Sequence, residues 1–353
     1  MGAKIAIMGT GAVGGYAGAH MAHAGEDVTF IDPWPAHVEQ MRAHGLKISH
    51  IRDVPEFTAK VRALHVTDAQ QLAKEKPIDI AFVCMKSYDT EWAATLIAQY
   101  LSPNGFIVSL QNCMNEETIA GVVGWGRTVG CIASSITVDL CEPGHVRRAA
   151  GKSGTKHTVF RTGEVHGRVT ERVKEVCRLV ALADSAMVTE NIWGERWSKL
   201  VTNVMGNGLS ACTGMITKDM MRDDVIRHFS ARLGSEAIRV GQALGYALEE
   251  IHHLDPELIA RAGENDPEAR RAYDEHRLAE AAKGGGEHRP SMGQDMVKGR
   301  RTEIQFLNGL VARKGEEIGF ATPANTALTD IVTRVERGEL QPDPRHIREL
   351  RLN

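Results

Sequence analysis

The stretch Lys4–Asp32, KIAIMGTGAVGGYAGAHMAHAGEDVTFID, decides the fold. Its apolar residues 5–8 predict a short strand that is buried on both faces. Gly9, Gly11 and Gly14 follow with the spacing G-x-G-x-x-G, and a helix comes next. In a dinucleotide site the first glycine permits a tight turn, the second lets the backbone approach a pyrophosphate, and the third lets helix and strand pack closely. The predicted cofactor contacts of this turn are Gly9, Thr10, Gly11, Ala12, Val13 and Gly14. The alternative is a glycine-rich turn in some other α/β protein.

Asp32 ends the second apolar run, residues 28–31. A carboxylate at this place accepts hydrogen bonds from the ribose 2′- and 3′-hydroxyls of a dinucleotide, and it repels a 2′-phosphate. Residues 33–36 are PWPA, so they offer no arginine or lysine for that phosphate. The sequence therefore favours NAD(H), with NADP(H) still possible. The alternative is that Asp32 caps the following helix.

The 353 residues suffice for two domains, and 42% hydrophobic with 25% charged residues is ordinary for a globular protein. A net charge of -3 gives no case for nucleic acid or a membrane surface. The six cysteines show no C-x-x-C pair, and the 15 histidines show no metal-binding spacing. We expect no bound metal, a cytoplasmic location, and surface positions for His20/His23 and His252/His253.

Strands and helices alternate through residues 34–110, which predicts βαβ units in a mostly parallel sheet, a doubly wound Rossmann domain spanning 1–190. Ligands of such sheets bind at the carboxyl ends of the strands. Lys86 follows the predicted strand 78–84 and is a candidate for the cofactor phosphate or ribose. Asn112 follows the strand 106–110 and is a candidate for cofactor or substrate. The alternative for both is a solvated loop residue. Shorter strands in 128–161 are expected to complete this sheet.

From Trp193 the strand signals stop, which predicts an all-helical second domain, 191–353. The predicted helix 193–210 carries an apolar stripe formed by Trp193, Trp197, Leu200, Val201 and Val204. Lys199, Asn203 and Asn207 follow at i, i+4 and i+8, beside that stripe. A lysine at such a surface loses hydration, which lowers its pKa, and buried asparagines need partners. The alternative is that Lys199 reaches water and the asparagines bond neighbouring backbone.

The rest of this domain is predicted to contain a long helix over 218–248 and then a charged segment, 249–289. For this segment we expect helical fragments and a flexible connector, Lys283–Glu287, and we favour a solvated surface insertion over a lid or interface element. Pro290 and Ser291 open a predicted helix of about 28 residues, whose start can bind a substrate carboxylate. Glu303 lies three turns further on. The alternative to a functional role for Glu303 is an ion pair with Arg300 or Arg301.

Several motifs resemble the ketopantoate reductase (2-dehydropantoate 2-reductase) family. The matching segments are GTGAVG at 9–14, MK at 85–86, QN at 111–112, PGHV at 143–146, RWSKLVTN at 196–203, PSMGQDM at 290–296 and GRRTEI at 299–304. The resemblance implies a Rossmann domain, an all-helical domain, an active site in the cleft between them, and a homodimer. It also implies roles for the candidate residues. Lys199 would donate the proton, Asn203, Asn207 and Ser291 would hold the substrate, Glu303 would position it, and Asn112 and Lys86 would line the cofactor side.

Three features depart from the family pattern. Asp32 and Pro33 stand where NADP-dependent members carry a basic residue, Gln305 replaces the aspartate of T-E-I-D, and the segment 249–289 is longer than in typical members. The sequence therefore predicts hydride transfer between NAD(H) and a small 2-oxo or 2-hydroxy acid such as ketopantoate or pantoate. The alternatives are a dehydrogenase of another hydroxy compound, and a non-catalytic NAD(H)-sensing protein.

Overall fold

The computed structural model describes residues 2–51, 54–134, 136–149, 151–152, 157–283 and 289–352. The chain divides into two compact units, Met1–Ile192 and Trp193–Asn353.

The first unit is built around an eight-stranded sheet with the order β12-β11-β8-β7-β6-β1-β2-β5. The strands of the first unit, which include those of a second, smaller sheet, are β1 Lys4–Met8, β2 Asp27–Asp32, β3 Leu46–His50, β4 Phe57–Ala59, β5 Arg62–His65, β6 Ile78–Val83, β7 Leu101–Ser109, β8 Thr128–Ala133, β9 Val138–Glu142, β10 His145–Arg148, β11 Phe160–Glu164 and β12 Ala186–Val188. Its helices are α1 Ala12–His23, α2 Pro35–His44, α3 Thr90–Ala98, α4 Glu116–Val123 and α5 Glu171–Ala181. Within the large sheet only the β8–β11 pairing is antiparallel, which confirms the predicted mostly parallel α/β domain.

The apolar run of β1 exists because its side chains alternate between two cores. Ile5 and Ile7 belong to the cluster that contains Tyr16 of α1. Ala6 and Met8 belong to the cluster on the opposite face, with α3. A central strand that is covered on both faces needs apolar residues at every position, which is why residues 5–8 show no polar alternation.

The prediction that residues 128–161 complete the large sheet is correct for β8 and wrong for β9 and β10. Those two strands join β3 and β4 in a separate sheet of order β4-β3-β10-β9. This sheet packs on α1, where a Cβ on Gly15 would lie 3.1 Å from a methyl carbon of Val146. The short strands therefore shield a helix face and do not widen the main sheet.

The prediction that His20 lies on the surface is wrong, because His20 is buried. It is 9% exposed, and its ring lies edge-on to Tyr16 at 4.7 Å and Phe57 at 4.9 Å between centroids. Its Nε2 has no hydrogen-bond partner among the described residues. Burial, reinforced by cations that include Lys152, lowers the pKa of His20 to about 3. His23 is exposed, as predicted.

The second unit is helical, as predicted. Its helices are α6 Ile192–Val204, α7 Asn207–Thr213, α8 Thr217–Arg222, α9 Asp224–Ala243, α10 Pro256–Gly263, α11 Pro267–Ala282, α12 Ser291–Val297, α13 Asn308–Glu317, α14 Pro323–Glu336 and α15 Arg345–Arg348.

Each of the three long helices predicted in this unit is broken. The helix 193–210 ends at Val204 and restarts at Asn207, with Gly206 as the next N-cap. The helix 218–248 is interrupted at Asp223, whose side chain caps α9 by accepting from Ile226 N at 3.1 Å. The 28-residue helix stops after α12, where Gly299 takes a left-handed φ of 62°. Apolar spacing alone did not reveal these caps and breaks.

Residues 249–283, the described part of the charged segment before the connector, contain the packed helices α10 and α11, which confirms the expected helical fragments and overturns the solvated insertion that we favoured. Ile259 of α10 and Tyr273 of α11 are buried. A Cβ on Gly263 would lie 2.5 Å from the carbonyl oxygen of Ala231, so α10 approaches α9 very closely. Residues 284–287 of the predicted connector lie outside the described residues.

Among the described residues no helix has both the length and the apolar character needed to cross a bilayer. The same part of the chain contains no cluster of three or more His, Cys, Asp or Glu side chains suited to a metal ion.

His20 should make the first unit sensitive to acid. Its folded pKa lies below the unfolded value of about 6.5, so between pH 6.5 and 3 only the unfolded chain binds this proton. As the pH falls through this window, the free energy of unfolding should decrease by up to about 1.4 kcal/mol for each pH unit. His20→Phe keeps the ring contacts and should flatten the dependence of the free energy of unfolding on pH. Urea unfolding from pH 7 to pH 4 measures this dependence. His23→Phe, at an exposed ring, is the matched control and should keep the wild-type slope. An unchanged slope in His20→Phe would contradict this assignment.

Candidate functional site

The glycine turn after β1 contains two glycines with no room for a side chain and one glycine with open space beside it. Gly9 has a φ of 90°, and a Cβ there would lie 2.4 Å from Met85 Sδ. A Cβ on Gly14 would lie 2.2 Å from the carbonyl oxygen of Gly9. By contrast, apart from the two chain neighbours, no atom of the described residues lies within 4 Å of a Cβ built on Gly11. The open space at the second glycine fits a dinucleotide pyrophosphate that approaches the backbone.

Helix α1 begins at this open position. Gly11 is its N-cap and supplies no side-chain cap, and Ala12 and Val13 are half-buried. The first N–H groups of a helix have no partner within the helix, and they carry the positive end of its dipole. The start of α1 can therefore bind an anionic group beside Gly11.

Asp32 fixes the glycine turn to the end of β2. Its Oδ2 accepts from Thr10 N at 2.7 Å and from Thr10 Oγ1 at 2.8 Å, and its Oδ1 accepts from Trp34 N at 2.9 Å. The N-cap of α2 is Trp34, which makes no side-chain cap bond, so Asp32 does not cap that helix in the way our alternative supposed. A carboxylate has about four acceptor sites, and three are used, which leaves one on Oδ1 for a ribose hydroxyl. The Thr10 hydroxyl is committed to Asp32.

His37 is a support that the sequence analysis missed. Its Nδ1 accepts from Gly144 N at 2.8 Å, so Nε2 carries the proton and donates to the carbonyl oxygen of Thr10 at 2.9 Å. The 39% exposed indole of Trp34 stacks on this imidazole, with 5.7 Å between ring centroids. The bond from His37 to Gly144 spans 107 residues. The PGHV motif at 143–146 was its only sequence signal.

The loops after β6 and β7 are joined by amide side chains. Gln111 Nε2 donates to the carbonyl oxygen of Met85 at 2.9 Å. Asn115 Nδ2 donates to Ser87 Oγ at 3.2 Å and to the carbonyl oxygen of Asn112 at 2.7 Å. The half-buried Lys86 and the exposed Asn112 therefore lie on linked loops, at the sheet edge where the glycine turn also lies.

Cys113, the residue after Asn112, has a left-handed backbone with a φ of 66°. For a residue other than glycine this conformation is uncommon and costs roughly 1–2 kcal/mol. It directs the chain at the end of β7, and Asn112 stays exposed beside it. No pattern in the sequence indicated this strained turn.

In the second unit, helix α6 presents Lys199 and Asn203 one turn apart. Lys199 is half-buried and has no ion-pair partner in the part of the chain that the structure describes. Loss of hydration lowers its pKa below the ordinary lysine value. Asn203 is also half-buried, and its amide makes no hydrogen bond to any described residue. The i, i+4 prediction for this pair is confirmed on a single helix.

Asn207 does not continue this face, which corrects the predicted i+8 relation. It is the first residue of α7, after the break at Gly206. Its side chain is half-buried, and within the described ranges its amide has no protein partner. Three polar side chains, Lys199, Asn203 and Asn207, thus remain available to a ligand.

The apolar stripe of α6 holds this helix against α9. Trp197 is 1% exposed, and its Nε1 donates to the carbonyl oxygen of Ala237 at 2.8 Å. A Cβ on Gly241 would lie 2.3 Å from that nitrogen, so the indole needs a glycine opposite it. Leu200 and Val201 are fully buried. Packing on both sides of Lys199 in the chain therefore fixes the direction in which the helix presents it.

Ser291 and Glu303 lie on separate elements and not on one helix. Ser291 is exposed at the start of α12, which has seven residues. Glu303 is buried and precedes a short 3-10 turn, Ile304–Phe306. Gln305 is exposed, and its Nε2 donates to Thr333 Oγ1 at 3.2 Å. The predicted spacing of three helical turns between Ser291 and Glu303 is therefore wrong.

Proteins of similar sequence match nearly the whole length of this chain. A protein of Archaeoglobus fulgidus named 2-dehydropantoate 2-reductase is 29% identical over 345 residues, covering 95% of this chain and 98% of the relative. A protein of the same name from Mesorhizobium japonicum is 29% identical over 359 residues, covering 95% and 99%.

Solved structures show the same fold. A PanE/ApbA family ketopantoate reductase from Ralstonia eutropha JMP134 superposes with a TM-score of 0.77 at 26% identity, covering 95% of this chain and 99% of that one. A D-mandelate dehydrogenase with NADH and anilino(oxo)acetate gives a TM-score of 0.77 at 23% identity, covering 95% and 99%, a likeness in fold.

Two family models match the chain in succession. The model described as ketopantoate reductase PanE/ApbA matches residues 5–160, and the model of its C-terminal part matches residues 191–336. Together they confirm the resemblance that the motifs indicated, and the chain belongs to the ketopantoate reductase PanE/ApbA family.

Proposed function

We propose that this protein is an NAD(H)-preferring oxidoreductase that interconverts a 2-oxo acid and its 2-hydroxy acid, with ketopantoate and pantoate as the first pair to test. The observation that carries the proposal is Lys199, a half-buried amine of lowered pKa with no ion-pair partner among the described residues. Family membership and relatives named 2-dehydropantoate 2-reductase support it.

The residues of the first unit fit a nicotinamide dinucleotide. Gly11 leaves room for the pyrophosphate, the start of α1 meets its charge, and Asp32 keeps one acceptor site for a ribose hydroxyl. Lys86 and Asn112, on the linked loops, are the proposed contacts towards the rest of the cofactor. When bound, the cofactor supplies or accepts the hydride.

Lys199 is proposed to be the acid and base. Reduction places negative charge on the carbonyl oxygen of the substrate, and the ammonium form stabilises this charge and donates the proton. Oxidation needs the neutral amine. A lowered pKa brings the two forms closer in free energy near neutral pH, which serves proton transfer in either direction.

The other side chains are proposed to hold the substrate. Asn203 and Asn207 offer free amides to its polar groups, Ser291 binds its carboxylate, and Glu303 positions it. We also propose a homodimer in the cytoplasm, from the family resemblance, and analytical ultracentrifugation tests the dimer.

Lys199→Ala should lower kcat for reduction of ketopantoate by roughly 10²–10⁴-fold, because it removes the proton donor. In the wild type, kcat/KM for reduction should fall as the pH rises through the lowered pKa of Lys199, below the ordinary value of about 10.5. A stopped-flow assay of NADH absorbance over pH 6–10 measures both effects. Lys218→Ala, on α8, is a control and should keep the wild-type kcat. A loss of only two- or threefold in Lys199→Ala would remove Lys199 from this role.

Asp32 should set the cofactor preference. Asp32→Asn keeps an acceptor for Thr10 but removes the charge that repels a 2′-phosphate, so the ratio of kcat/KM for NADH over NADPH should fall at least about tenfold. Parallel assays with both cofactors give this ratio. A wild-type enzyme that uses NADPH better than NADH would contradict the cofactor proposal, whereas an equal loss with both cofactors would point to a damaged turn.

Gly11 and Gly14 should respond differently to the same change. The Cβ of Gly11→Ala meets no atom of the described residues within 4 Å apart from its chain neighbours, so the change should leave the melting temperature unchanged and weaken NADH binding by about tenfold or more. Gly14→Ala clashes with the Gly9 carbonyl and should lower the melting temperature. Thermal unfolding and NADH fluorescence titration separate the two. Wild-type NADH affinity in Gly11→Ala would show that the open space is not the pyrophosphate site.

A further inference from the structure

A tight turn in the second unit, between α9 and α10, carries two adjacent histidines. Ile251 and Leu254 exchange two backbone hydrogen bonds of 3.0 Å each, which makes His252 and His253 the two residues of the loop. Both have left-handed backbones, with φ of 53° and 60°. Glycine and asparagine adopt this turn most readily. Strained backbone at residues of another type is concentrated at functional sites.

Hydrogen bonds hold this turn from two sides. The backbone N–H of Glu249 donates to Ser198 Oγ at 2.8 Å, and Ser198 is the residue before Lys199 on α6. On the other side, His276 Nε2 of α11 donates to the carbonyl oxygen of His252 at 2.8 Å. The turn is therefore attached to α11, and the chain just before the turn is attached to the helix that carries Lys199.

Lys199 is among the charged groups that act on His252. Burial lowers the pKa of His252 well below its usual range, and the positive charges of Arg277 and Lys199 add to this effect. At neutral pH the imidazole is therefore uncharged. A neutral imidazole offers one hydrogen-bond donor and one acceptor, and it has no positive charge with which to favour a carboxylate.

The two histidines differ in exposure. His252 is half-buried, and its ring makes no hydrogen bond to any residue that the structure describes. His253 is exposed. The strained turn thus holds one neutral, unbonded imidazole in a partly enclosed place, which suits recognition of an uncharged polar group such as a hydroxyl.

We propose that His252 is a specificity-determining residue whose imidazole hydrogen-bonds a hydroxyl on the side chain of the 2-oxo acid that reacts at Lys199. It favours hydroxylated 2-oxo acids over those with hydrocarbon side chains. This inference rests on the proposed function, because it takes Lys199 as the point of reaction. A site built to bond a hydroxyl discriminates strongly against the analogue that lacks it, since its own polar group is then left unpaired.

Two substrates that differ by one hydroxyl test this inference with the full-length protein and NADH. They are ketopantoate and 3,3-dimethyl-2-oxobutanoate, which has the same carbon skeleton. In the wild type kcat/KM should favour ketopantoate. His252→Leu should lower the ratio of the two kcat/KM values at least about tenfold. His253→Leu is the matched control, because it lies in the same turn with the same backbone strain, and it should leave the ratio unchanged.

His252→Asn guards against a variant that fails to fold, because asparagine tolerates the left-handed backbone and keeps a donor and an acceptor. It should retain more of the preference for ketopantoate than His252→Leu. An unchanged ratio in His252→Leu, or an equal change in both histidine variants, overturns this inference alone, provided that Lys199→Ala is inactive. A wild-type protein that binds NADH and reduces neither acid overturns the proposed function, and this inference with it.

Discussion

The close approach of α1 to the sheet at the glycine turn is the constraint on which the first unit depends. Gly14 has no room for a Cβ because the Gly9 carbonyl lies in its place, and Gly9 has none because of Met85. The turn is then locked by polar contacts, with Asp32 bonded to the N–H and hydroxyl of Thr10 and His37 bonded to its carbonyl. Every polar group of Thr10 is satisfied within the protein. The open side of the turn, at Gly11, is rigid before any ligand arrives, so little ordering cost remains for binding.

In the second unit, the side chains that pack α6 are distinct from the polar side chains beside them. Trp197 and its neighbours fix α6 on α9 by packing and by one indole hydrogen bond. Lys199, Asn203 and Asn207 take no part in that packing, and none has a side-chain partner among the residues described. Half-buried polar groups without protein partners lose hydration and gain no bond in return, which a fold tolerates most readily where a ligand completes them. Their common behaviour, more than any single spacing, favours a substrate site.

Much of the first unit could be predicted because its signals are local. The apolar run 5–8, the glycine spacing and Asp32 all lie within 29 residues of sequence, and each has one physical meaning. The contact of His37 with Gly144 could not be predicted, because it joins distant segments through a turn at Gly144 and leaves no periodic pattern. The second small sheet escaped for the same reason, since strand length and alternation do not state which sheet a strand joins.

In the second unit the pattern identified helices but not their ends. Apolar spacing continues across the breaks at Gly206, Asp223 and Gly299, so three helices looked longer than they are, and Asn207 was placed on the wrong helix. The segment 249–289 looked solvated because its charges outnumber its core residues, yet small side chains such as Gly263 let it pack closely on α9. Lys199 and Asn203 were placed correctly because only one helical turn separates them.

The most direct test of the account is the ionisation of the Lys199 amine. Protein labelled with ¹³C at the lysine ε-carbon can be titrated by NMR, and comparison with Lys199→Arg assigns the signal. The account predicts that the Lys199 amine titrates below the ordinary lysine value of about 10.5 and that its titration coincides with the pH dependence of the reductive rate. A Lys199 signal that titrates at or above that value, as for a solvated or salt-bridged lysine, would contradict the account.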